Sequence, residues 1–108
     1  DLAKSNLVKT LKTRKTNPFP INTYQNSKVK YSKKELQELF NSKIDFITFT
    51  SGSTVSAFAD LKINLNATKV VCIGYETAKV AETNRIKVDA IANPHTIEGI
   101  INAIISLL

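Results

Sequence analysis

Hydrophobic positions along the chain alternate between two periods, helical spacing and short continuous runs. Leu7, Val8 and Leu11 recur at helical spacing among lysines, predicting an amphipathic helix over residues 4–15 that Ser5 or Asn6 can cap. Asn17-Pro18-Phe19-Pro20 ends it, because proline lacks the N–H a helix needs and restricts the residue before it. Ile21-Asn22-Thr23-Tyr24-Gln25 then alternates as a short edge strand does, and Asn26 to Tyr31 is polar and lysine-rich, a linker. Ser32 with Glu35 three residues later reads as a capping box, followed by the apolar face Leu36, Leu39 and Phe40.

The most informative stretch follows. Residues 44–50 form a β-branched and aromatic run that stops at Thr50-Ser51-Gly52-Ser53-Thr54 and restarts at helical spacing with Val55, Phe58, Ala59 and Leu61. Lys69 to Ile73 is a second apolar run, continuous as in a strand buried on both faces, and Gly74 leads into a helix beginning at Tyr75 and carrying Thr77. A third run, Ile86 to Ala90, passes through Asn93-Pro94-His95 to Thr96 and a last helix. In that helix Ile97, Ile100, Ile101, Ile104, Ile105 and Leu108 make a broad apolar face. Three strands alternating with helices predict an α/β fold, a parallel sheet with flanking helices. A helix before any strand suggests that an element preceding it is missing from the sequence.

In a parallel sheet, ligands gather beyond the carboxyl ends of the strands. Three loops would meet there, bringing Thr50, Ser51, Gly52, Ser53, Thr54, Gly74, Thr77 and Thr96 to one edge. The first N–H groups of each following helix lack intrahelical partners and lie at the positive end of its dipole, which favours an anion. The same hydroxyls can instead serve as helix caps, and both readings remain open from the pattern alone.

Composition narrows the chemistry. The 108 residues are 43% hydrophobic and 22% charged, which fits one globular domain rather than disorder. No run is long enough to span a membrane, and the opening Asp1-Leu2-Ala3-Lys4-Ser5 has no export signal. Cys72 lies within an apolar strand and reads as a core residue, and one cysteine with one histidine gives no metal cluster. The net charge of +6 is uneven. Residues 1–34 hold nine basic residues against Asp1, whereas residues 35–108 hold six basic and eight acidic ones. Such a field attracts anions, whether nucleic acid or a small polycarboxylate; the scarcity of arginine speaks against a nucleic-acid reader, and a solvated lysine-rich surface with no binding role stays equally open. The loops hold no carboxylate pair or nucleophile–base couple, and His95 is the only imidazole.

The ordered set Thr23-Tyr24-Gln25, Ile44-Asp45 through Val55 and Phe58, Ile73-Gly74-Tyr75-Glu76-Thr77-Ala78, and Thr96-Ile97-Glu98-Gly99-Ile100 resembles the uroporphyrinogen-III synthases. That resemblance implies the carboxyl-terminal part of a two-lobed enzyme. Residues 1–25 would be the terminal helix and strand of one lobe, 26–32 the linker, and 33–108 an incomplete α/β lobe. It also implies a cofactor-free lyase reaction that cyclises hydroxymethylbilane with inversion of the last pyrrole ring. Tyr24 would assist departure of the hydroxyl, and the rim residues named above would bind the substrate. The expected partner is a linear tetrapyrrole, without nucleic acid, membrane or metal, and the full enzyme is expected to be a monomer in the cytoplasm or an organelle. Gly52 and Tyr75 depart from the family, which often has proline at both positions. A reading from a different class stays beside this one: a non-catalytic anion or phosphosugar-binding module, since Phe49 to Thr54 also resembles the phosphate loops of sugar isomerase domains.

Overall fold

The computed structural model describes residues 5–108, so Lys4, the first residue of the expected opening helix, lies outside the described residues with Asp1 to Ala3. The chain divides between Lys30 and Tyr31 into two units. In the first, helix α1 (Ser5–Thr13) ends where Lys15 takes a left-handed φ of 56° and the Thr16 N–H donates to the Leu11 carbonyl at 3.3 Å, closing the last turn. Residues 16–32 contain no helix or strand. The strand expected over Ile21 to Gln25 is therefore not formed. Its alternation finds no pairing strand among the described residues of this unit, and Ile21 and Tyr24 stay largely exposed.

The second unit is built as expected around a parallel sheet. Its elements are α2 (Lys33–Phe40), β1 (Phe46–Phe49), α3 (Gly52–Ala59), β2 (Lys69–Cys72), α4 (Tyr75–Thr83), β3 (Ala90–Ile91) and α5 (Ile97–Ser106). Helix α2 opens with the anticipated capping box. The Glu35 N–H donates to Ser32 Oγ, and the Ser32 N–H donates to a Glu35 carboxylate oxygen at 2.7 Å. The Ser32 N–H, and after it the Ser32 hydroxyl, hold the Glu35 carboxyl below its ordinary value.

The sheet order is β1-β2-β3, all parallel, with Phe49 level with Cys72 and Cys72 level with Ile91. Alternation along the strands sorts the core onto both faces. On one face Phe49, Val70 and Cys72 pack with Val55 of α3 and with Ala78 and Ala81 of α4. On the other, Val71 and Ala92 pack with Ile100 and Ala103 of α5. Burial pushes the Cys72 thiol up, with a smaller contribution from the Glu82 carboxylate. Gly52 closes the contact between α3 and α4, since a Cβ there would lie 2.9 Å from a Val80 methyl.

Two elements differ from expectation. Strand β3 is two residues long and begins at Ala90 rather than Ile86. The Asp89 carboxylate accepts the Val70 N–H at 2.8 Å, replacing a backbone acceptor and ending the strand ladder early. On α5, only part of the expected apolar face is covered, because the helix packs mainly on β2 and β3. Ile97, Ile101, Ile105 and Leu108 remain at least half exposed.

Candidate functional site

Because all three strands run the same way and in register, the chain leaves each of them at one edge. The Ile73 N–H donates to the Phe49 carbonyl at 2.9 Å, and the Ala92 N–H to the Cys72 carbonyl at 2.8 Å, so the three exits are in step. With neighbouring strands about 4.8 Å apart, the starts of α3, α4 and α5 lie along a rim about 10 Å wide. Ser51, Gly74 and Thr96 are the residues immediately before these helices. The predicted convergence of Thr50 to Thr54, Gly74, Thr77 and Thr96 on one rim is thus present. Tyr24 belongs to the other unit, where it is 75% exposed.

The three helix starts are chemically unequal. At α3 the hydroxyls bond to one another and to the helix. Ser51 Oγ accepts the Thr54 N–H at 3.3 Å and lies 3.0 Å from Ser53 Oγ, while the Thr54 hydroxyl donates to the Ser51 carbonyl at 2.7 Å. This is a helix cap, and it leaves the Gly52 and Ser53 N–H groups without partners among the described residues. At α5 the Thr96 hydroxyl accepts the Gly99 N–H at 3.1 Å. The Glu98 carboxylate is the anion of that turn. Its own N–H and then the Thr96 hydroxyl hold it below its ordinary value.

Helix α4 has no such cap. Gly74 offers no side chain, and the N–H groups of Tyr75, Glu76 and Thr77 have no acceptor among the described residues. Thr77 is only 6% exposed, yet its hydroxyl also lacks a partner and is not sealed from solvent. Four donors therefore gather on one turn at the positive end of a helix, a complete set for one carboxylate or phosphate oxygen pair.

Gly74 has an extended φ of −166°, so it is not required by backbone conformation. Space beside it is tight instead. A Cβ there would sit 3.3 Å from His95 Nδ1, and the imidazole in turn meets the Tyr75 ring edge-on with centroids 5.6 Å apart. Nothing local in the sequence announces this pairing of His95 with Tyr75; it follows from the register of β2 and β3. The rim is open, with Thr50, Ser53, Thr54, Tyr75 and residues 93–98 exposed. Two grooves indent the unit elsewhere, one of about 340 Å³ beside Leu36, Phe40 and Leu61, and one of about 440 Å³ near Thr68, Arg85 and Lys87.

A family model described as uroporphyrinogen-III synthase HemD matches residues 1–102. The chain belongs to the uroporphyrinogen-III synthase family. The match runs through both units, so the Tyr24 segment and the rim fall within the same synthase pattern. No curated protein and no solved structure matches the chain. Synthases of this family are cyclising lyases of tetrapyrrole and heme biosynthesis, acting on a small tetrapyrrole. No helix among the described residues is long and apolar enough to cross a membrane.

Proposed function

We propose that this chain serves the closure of hydroxymethylbilane to uroporphyrinogen III, its rim acting as one wall of the substrate cleft. The observation that carries the reading is the first turn of α4, with three N–H groups unpartnered among the described residues and the solvent-reached hydroxyl of the nearly buried Thr77, inside a synthase-family chain. The substrate carries acetate and propionate arms, and such a turn holds one of them by charge-assisted hydrogen bonds. The spare N–H groups of Gly52 and Ser53 offer a second anchor along the same edge. The basic excess of residues 1–34 draws a polyanion in.

The reaction needs positioning more than chemistry. The terminal hydroxyl leaves with a proton as water and gives an azafulvene. The substituted α-carbon of the last pyrrole attacks its methylene carbon, forming a spiro intermediate. That intermediate breaks at its other bond and recloses with the ring inverted, and loss of a proton restores the pyrrole. Without guidance the linear molecule closes to the unflipped isomer, so donors that fix the arms select the attacking carbon. Tyr24, with an exposed phenol, is assigned to donate to the departing hydroxyl. A phosphosugar module has less support, because the Ser51 and Thr54 hydroxyls on which it would rely are engaged in the cap.

The two-lobed enzyme that the family resemblance implies closes a second complete lobe over the substrate, so residues 1–108 by themselves should not turn over. The test is the ratio of flipped to unflipped isomer formed from hydroxymethylbilane, read after oxidation to porphyrins. The chain alone should give only the unflipped product, and flipped product above background would contradict the need for a second wall. In an active synthase containing this sequence, Tyr24→Phe should lower turnover without unfolding the protein. Unchanged turnover would remove Tyr24 from its role.

A further inference from the structure

We propose that Tyr75 and His95 form a corner that recognises a pyrrole ring of the substrate, beside the turn that holds its carboxylate arm. This inference rests on the carboxylate reading of the α4 start and adds to it the part of the ligand that a carboxylate site cannot distinguish. Tyr75 is the first residue of α4, 65% exposed, a large aromatic left in water at the mouth of a donor cluster. His95 comes from the loop after β3. Its ring lies against Gly74, where a Cβ would stand 3.3 to 3.6 Å from Nδ1, Cγ and Cε1.

The two rings meet at an interplanar angle of 73° with centroids 5.6 Å apart, so they make two sides of a corner rather than a stack. Edge-to-face contact holds each ring in place for the other. Exposed aromatic surface next to fixed N–H donors suits a ligand that is flat and apolar at its centre and anionic on short arms. An aliphatic polycarboxylate would use the donors and leave the rings untouched. A pyrrole bearing acetate and propionate would use both, with ring contact contributing about 3- to 10-fold in affinity.

His95 is the only histidine of the chain, so its imidazole proton lines are unambiguous in a tag-free NMR sample of residues 1–108. Two probes separate the contributions: porphobilinogen, a single pyrrole with one acetate and one propionate, and propane-1,2,3-tricarboxylate, which has no ring. Porphobilinogen is expected to move the imidazole lines and the Tyr75 to Thr77 amides together, and the tricarboxylate the amides alone. Tyr75→Ala and His95→Ala should each weaken porphobilinogen about 3- to 10-fold and leave the tricarboxylate unchanged, with Tyr75→Phe close to the parent. If both probes move the amides while the imidazole lines stay still and Tyr75→Ala has no effect, the corner is refuted and the carboxylate site stands. Imidazole shifts without amide shifts would keep the corner and refute the carboxylate site. Should neither probe move either set, both proposals fall.

Discussion

The starts of α3 and α5 carry the hydroxyls that a binding loop is expected to have, and the start of α4 carries glycine, yet the spare donor capacity is greatest at α4. At α3 and α5 the side chains of Ser51 and Thr96 satisfy the helix from within. At α4 the cap residue is Gly74 and cannot do so. A hydroxyl in front of a helix is thus spent on the helix first, and a ligand is favoured where that internal partner is missing. Glu98 makes the same point from the other side: both α4 and α5 carry an acid in the first turn, but the Glu98 carboxylate is held by its own N–H and the Thr96 hydroxyl, whereas Glu76 pairs with Lys79 at 3.3 Å.

Glycine substitutions should separate these starts most sharply. A Cβ on Gly99 would fall on the Pro94 carbonyl oxygen, whereas one on Gly74 meets only the exposed ring of His95, at 3.3 Å. Gly99→Ala should cost about 3 kcal/mol of stability in urea denaturation, and Gly74→Ala less than about 1 kcal/mol. Equal losses would mean that the two loops are held alike.

A second contrast reverses the roles of stability and binding. Thr77→Val removes a hydroxyl with no partner among the described residues, so stability should hold or rise by up to about 1 kcal/mol, while affinity for propane-1,2,3-tricarboxylate falls about 10-fold. Ser51→Ala should do the opposite, costing about 1 kcal/mol and changing that affinity less than about 2-fold. Calorimetric titration and thermal melts on both variants check the pair. Loss of binding in Ser51→Ala alone would move the site to α3.

The smallest effect concerns pH. Glu35 and Glu98 both have carboxyls held below their ordinary value in the folded chain, by backbone N–H groups and capping hydroxyls. A depressed folded value means that their stabilisation is present above the unfolded carboxylate range and is lost as pH falls through the folded value. Glu98→Gln and Glu35→Gln should each flatten the acid side of the stability profile slightly, by removing a stabilisation that the parent has near neutrality, with no change of slope there. An acid limb identical to the parent in both would show these caps to be energetically silent.

Much of the fold was legible because its signals are local. Continuous apolar runs marked β1 and β2, the Ser32–Glu35 pair marked α2, and Cys72 read correctly as core. Failures came where distant partners decide. Ile21 to Gln25 alternates like a strand but has no neighbour to pair with among the described residues of its unit, and the Asp89 side chain shortens β3 by taking the Val70 N–H. Periodicity predicted an apolar face on α5 but not how much of it the sheet would cover. At the rim, strand order was enough to gather the hydroxyl residues on one edge. Which of them are committed to caps depended on side-chain geometry, and the approach of His95 to Gly74 depended on the register of β2 and β3.

The most direct test of the central claim is an amide chemical-shift titration of the chain with propane-1,2,3-tricarboxylate. The largest and mutually consistent shifts should fall on Tyr75, Glu76 and Thr77, with smaller ones at Gly52 and Ser53 and least at Ile97. Dominant shifts at Ser51 to Thr54 or at Thr96 to Gly99, with the α4 start unmoved, would contradict it.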